Sequence, residues 1–139
     1  MQEDKIEHQG KNFTISLDLK QNIIFLVDWG GVDEVKADEM KRKILEFTER
    51  IPPTEPVRLM VEAKKFEKIT PKARKIFFSL VKRLRDKKTK IALITLSPTV
   101  RLVGRFIGYA IKDFKTFSTK QEGIKWLKNQ KVPSTAAKK

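Results

Sequence analysis

The sequence predicts an α/β domain: a mixed, mostly parallel sheet with an antiparallel N-terminal hairpin, in the order β-β-α-β-α-β-α-β-α. Three observations carry that expectation. The stretch Lys90 to Ser97 holds an apolar run, Ile91-Ala92-Leu93-Ile94 with Leu96, that does not alternate with polar residues. A short unbroken run of this kind suits a strand covered on both faces. It ends at Ser97-Pro98, where a serine can cap a helix and a proline fits its first turn. Finally, strand-like and helix-like segments alternate along the chain, which implies parallel strands joined by right-handed crossovers.

Taken in order, residues 1–10 read as a flexible polar leader. From Phe13, the residues Phe13, Ile15, Leu17 and Leu19 alternate with Thr14, Ser16 and Asp18, the pattern of a half-buried outer strand. Lys20-Gln21-Asn22 forms a tight turn, and the continuous run over 23–27 completes the hairpin. Gly30-Gly31 permits a sharp exit from the sheet. Asp33, Glu34, Asp38 and Glu39 then suit a helix N-terminus. Met40, Ile44, Phe47 and Ile51 mark its buried stripe, and Pro52-Pro53 stop it.

A strand is expected over 57–61, followed by a charged link over 62–69. Thr70-Pro71 opens a second helix with Ala73, Ile76, Phe77, Leu80, Val81 and Leu84 on one side. A third helix is expected over 99–112 and a short last strand over 114–117. A terminal helix follows, with Thr119 and Glu122 spaced as a capping box. Ile124, Trp126 and Leu127 should anchor that helix. Residues 11–131 make a single domain, and 132–139 read as a disordered tail.

This order, over about residues 11–130, resembles the STAS fold of sulfate transporters and anti-sigma-factor antagonists, and above all the small stand-alone SpoIIAA-like proteins of bacteria. The resemblance rests on the FTISLDL/IIFLV hairpin, the Gly30-Gly31 exit, VRLMVEAKKFEKITPKARKIF and KIALITLSPTV. It implies a regulatory module that binds proteins, nucleotides or apolar small molecules without catalysis. In the sporulation antagonists a phosphorylatable serine sits in an Asp-Ser-Ser-Gly motif at the start of the second helix. Here that position aligns with Pro71, within Ile69-Thr70-Pro71-Lys72, so the phosphorylation switch does not carry over. Thr70 is a nearby hydroxyl, either a plain helix cap or a modification site.

Composition bounds the chemistry. Of 139 residues, none is Cys and the one His is His8. Thiolate chemistry is excluded, and neither a histidine-based metal site nor a cofactor is expected. No apolar run approaches the roughly 20 residues of a membrane span. The polar, acidic start is unlike a signal peptide, so a cytoplasmic location is expected. The net charge of +14 is uneven: residues 1–62 hold 9 Lys/Arg against 13 Asp/Glu, and residues 63–139 hold 22 against 4. Such a field attracts nucleic acid, an anionic membrane surface or an acidic protein.

Ligands of open α/β sheets lie beyond the carboxyl ends of the strands. That rim offers Asp28, Trp29, Gly30, Lys64, Lys65, Ser97 and Thr99, with Arg101 and Arg105 on the helix beyond. Several helix N-termini there favour an anionic group. On the second helix, Phe78 falls away from the apolar stripe, among Arg74, Lys75 and Lys82. A phenylalanine ringed by cations suits a protein partner or a nucleobase, or else packs under the terminal helix or a dimer mate. The third helix is apolar over a wide arc and carries Gly104 and Gly108. It reads as a wall or lid over an apolar pocket, as a segment lying on an anionic bilayer, or as a tightly packed core helix. The rim carboxylates Asp28 and Glu62 have no His or Cys nearby, so catalysis is not expected. Binding of a protein or a small ligand is therefore expected, with a nucleic-acid-binding module as the alternative.

Overall fold

The computed structural model describes residues 5–64, 69–98, 100–102, 104–105 and 111–128. Six strands form one sheet in sequential order: β1 (Lys5–Gly10), β2 (Phe13–Asp18), β3 (Ile23–Asp28), β4 (Arg58–Ala63), β5 (Lys90–Ile94) and β6 (Phe114–Phe117). The β1–β2 and β2–β3 pairs are antiparallel, and the remaining three pairs are parallel. The helices are α1 (Glu34–Thr48), α2 (Pro71–Asp86) and α3 (Lys120–Lys128). Residues 98, 100–102 and 104–105 are also helical. All five residues of β5 are buried, as its unbroken apolar run predicts.

Sequential strand order explains how the helices are distributed. Right-handed crossovers that always step the same way put their connections on one face. The larger core accordingly joins Leu26, Leu59 and Ile91 to Met40, Ile44, Leu80, Val81 and Leu84 of α1 and α2. Helix α3 follows the last strand, is no crossover, and covers the opposite face. There Leu127, Ile124 and Trp126 pack on Ile23, Met60, Ala92 and Ile94.

Local chemistry fixes the element ends. Asp33 caps α1 by accepting from the Lys36 N–H at 2.9 Å. The Thr119 hydroxyl accepts from the Glu122 N–H at 3.3 Å and donates to its carboxylate at 3.2 Å. At the other end of α3, Lys90 donates to the Trp126 carbonyl at 2.9 Å and Arg58 to that of Leu127 at 3.0 Å. These cations satisfy the free carbonyls that end every helix and complement its dipole. Burial is the main reason the Lys90 ammonium sits below its usual range, with Asp113 opposing that shift and Arg58 adding to it.

Four expectations need correction. Residues 5–10 are not a loose leader but the edge strand β1, paired along its length with β2. In consequence β2 is an inner strand, buried at Phe13, Ile15 and Leu17. Leu96 lies beyond the end of β5 and is 80% exposed. The helix expected over 99–112 does not reach its far end, because residues 111–113 are non-helical and Ile111 is buried as the chain turns into β6. The tail over 132–139 lies outside the described residues, as do Lys65, Thr99 and Gly108.

Candidate functional site

Helix α2 packs against α1, and its Leu80, Val81 and Leu84 share the larger core with strand residues. Between α2 and the sheet lies a cavity of about 400 Å³. Its floor is Leu26, Leu59, Val61, Ile91 and Leu93 from three parallel strands, and its roof is Phe77, Val81 and Leu84. Val100, Gly104 and Phe114 close the side toward β6. Among the described lining residues only Asp28 and Arg74 are charged or polar. Sealed and dry, a void of this size would cost on the order of 10 kcal/mol at about 24 cal/mol per Å³. That approaches the whole stability of a domain, but the space is open at one side, and its apolar described lining suits an apolar guest. It reaches the surface at Phe78, which is 47% exposed, and at the exposed Arg74.

Gly104 shows why this wall needs a glycine. A Cβ there would lie 3.0 Å from Leu93 Cδ2 and 3.2 Å from the Phe114 ring. The close approach at Gly104 is thus made by side chains of the sheet.

At the inner end, the Asp28 carboxylate meets the Lys36 ammonium at 2.7 Å, with side chains only 14% and 11% exposed. Lys36 also donates to the Gly31 carbonyl at 2.9 Å, so one lysine ties the Gly30-Gly31 turn to the end of β3. Sequence reading passed over Lys36. Its signal was only a cation one turn into a helix, after a strand ending in Asp.

This arrangement of sheet and helices agrees with comparison to known proteins. The SpoIIAA-like family model matches residues 24–128. The chain belongs to the SpoIIAA-like family. Two solved structures share the fold. One is an uncharacterized protein from the DUF3478 family with a SpoIIAA-like fold, from Shewanella loihica PV-4. It is 12% identical, with 88% of this chain and 91% of that one covered and a TM-score of 0.60. The other is the anti-sigma factor antagonist SpoIIAA in its unphosphorylated form, 14% identical, with 84% and 98% covered and a TM-score of 0.63. No curated protein matches.

In this SpoIIAA-like chain the described residues expected at the strand-end rim take different local roles. Asp28 lines the cavity, whereas Trp29 is 42% exposed and anchored by its N–H to the Asn12 carbonyl. Gly30 packs near Asn12 and Lys36. Lys64 is exposed, its N–H bonded to the Asp28 carbonyl and its ammonium 3.8 Å from Glu62. Ser97 accepts from the Val100 N–H at 3.2 Å, a helix cap. Arg101 ties the segment after β5 to the loop after β6, donating to Ser118 at 2.9 Å and to the Thr95 carbonyl at 3.4 Å. Arg105 is exposed.

On α2, Arg74 and Phe78 line the cavity mouth, while Lys75 and Lys82 are exposed outside it. Thr70 caps α2, accepting from the Ala73 N–H at 3.1 Å. Among the described residues there is no cluster of three or more His, Cys, Asp or Glu side chains fit for a metal. No helix among them is long and apolar enough to cross a membrane.

Proposed function

We propose that this SpoIIAA-like domain is a non-catalytic, regulatory binding module of the cytoplasm whose ligand is a small, largely apolar molecule held between α2 and the sheet. The observation that carries this reading is the cavity of about 400 Å³ whose described lining is apolar save Asp28 and Arg74. Its volume falls within the range of small-molecule sites, and a few placed polar groups in an apolar wall are what such sites use for orientation. Binding is favoured over catalysis because Asp28 is already held by Lys36, the chain has no Cys, and its one His, His8, is paired with Glu39 and is not among the described residues lining the cavity. Phe78, Arg74, Lys75 and Lys82 would present the state of this site to a protein partner.

The test is titration with the neutral probe N-phenylnaphthylamine, displaced by dodecanol. One saturable site whose affinity is little changed by salt is expected. Absence of saturable binding would overturn the reading.

A second reading has its own support. Among the described residues, no ion pair joins a cation beyond Lys87 to a carboxylate, so the basic second half keeps its field. A nucleic acid bound there must dissociate steeply as salt rises. A gel shift without retardation at low salt removes this alternative.

A further inference from the structure

We infer that the ligand of the cavity is a single-chain amphiphile with an anionic head, taken up as a free monomer, its head paired with Arg74 at the mouth and its chain running inward between α2 and strands β4 and β5. The inference rests on the cavity reading above and adds the chemistry of the polar end.

Among the described residues two charged groups border the cavity, and they differ in what they leave unsatisfied. The Asp28 carboxylate, at the inner end, is matched by Lys36 at 2.7 Å. It therefore makes no demand for a cationic ligand. Arg74 is exposed at the outer end, and its guanidinium makes no hydrogen bond or ion pair with any described residue. A guanidinium presents a planar fork that matches a carboxylate or phosphate in two parallel bonds.

The helix that carries it adds to the field: α2 holds six Lys/Arg against one Asp. A neutral hydrocarbon would gain nothing from that charge, whereas an anionic head is drawn to the mouth. Phe78, one helical turn from Arg74 and half exposed, supplies an apolar surface where the chain enters. The remaining described lining residues are apolar, and suit a chain rather than a second polar group.

The experiment compares dodecanoate, dodecanol and dodecylammonium, each kept monomeric, as competitors of N-phenylnaphthylamine on the full chain. Wild type should bind dodecanoate about fivefold tighter than dodecanol at low salt, the upper end for an ion pair at an exposed position. Dodecylammonium should bind weakest. Arg74→Gln should bring dodecanoate and dodecanol to parity, and Arg74→Glu should favour dodecylammonium. Circular dichroism confirms that both variants are folded, as expected for an exposed residue.

Equal affinity of dodecanoate and dodecanol in wild type overturns the head-group assignment while leaving the apolar site standing. So does a preference that survives in Arg74→Gln. If none of the three competes, the cavity reading itself falls. Binding to phosphatidylglycerol vesicles without binding of monomeric dodecanoate shows a surface contact instead and also overturns the proposal.

Discussion

Replacing Val81 with phenylalanine tests whether there is room between α2 and the sheet. Val81 is buried, faces the cavity, and belongs to the same core cluster as Leu59 and Ile91. Phenylalanine adds about four side-chain carbons, which at about 0.8 kcal/mol for each buried group sets a ceiling of about 3 kcal/mol. Imperfect fit and lost rotamer freedom lower the expected gain to about 1–2 kcal/mol. Helix propensity is nearly the same for the two residues, so it contributes little. In a close-packed interface the same change would cost about 1–3 kcal/mol. The sign therefore decides. Urea unfolding followed by the fluorescence of Trp29 and Trp126 should show an unchanged slope and a midpoint raised by about 0.5–1 M. Binding of N-phenylnaphthylamine should weaken at least tenfold as the ring occupies its space. A midpoint lowered by a similar amount, with probe binding intact, would refute the idea of room under α2.

Other consequences concern the frame around the site. Burial raises the cost of ionising Asp18, but hydrogen bonds from the Gln21 side chain and from the N–H groups of Gln21 and Lys20 outweigh it and hold the carboxyl below its usual value. Its stabilisation is thus present above about pH 3.8, the unfolded value, and is lost as pH falls through the lower folded value. Asp18→Ala should destabilise by about 1–2 kcal/mol at neutral pH. That gap, measured by denaturant titration, should close in strong acid, and a gap independent of pH would contradict the charge-assisted turn. Gly10→Ala should cost about 3 kcal/mol or more, because the added Cβ would sit 2.1 Å from the buried Phe13 ring. Thermal unfolding within a degree of wild type would show that β1 is not docked as described.

Much of the fold is legible in the sequence for identifiable reasons. Strand β5 declares itself because burial on both faces removes alternation, and Met40, Ile44 and Phe47 declare α1 because burial on one face imposes a helical period. Strand β1 is illegible by the same logic. On its core-facing side it offers only Ile6, His8 and Gly10, and its place is set by backbone pairing with β2. Asn12, at φ 63°, makes that hairpin turn possible. The inner position of β2 is hidden for a related reason, since a strand beside a polar edge neighbour alternates much as an edge strand does.

The site was less legible than the fold. Phe77, Val81 and Leu84 have the period of ordinary core residues, and periodicity cannot say whether the opposing surface lies at contact distance or across a cavity. What could be read was the oddity of Phe78 among cations and the two glycines of the segment after β5. Arg74, Phe78 and Gly104 do line the cavity. At the strand-end rim, Ser97 caps the helical segment after β5 and Arg101 ties that segment to Ser118, roles that residue type alone does not reveal.

The most direct test is a two-dimensional amide NMR titration of the full chain with monomeric dodecanoate. The largest shifts should fall on Val61, Val81, Leu93 and Gly104, which face the space between α2 and the sheet from three sides. Shifts confined to Phe25, Phe117 and Ile124 on the α3 face, or no saturable shifts at all, would contradict it.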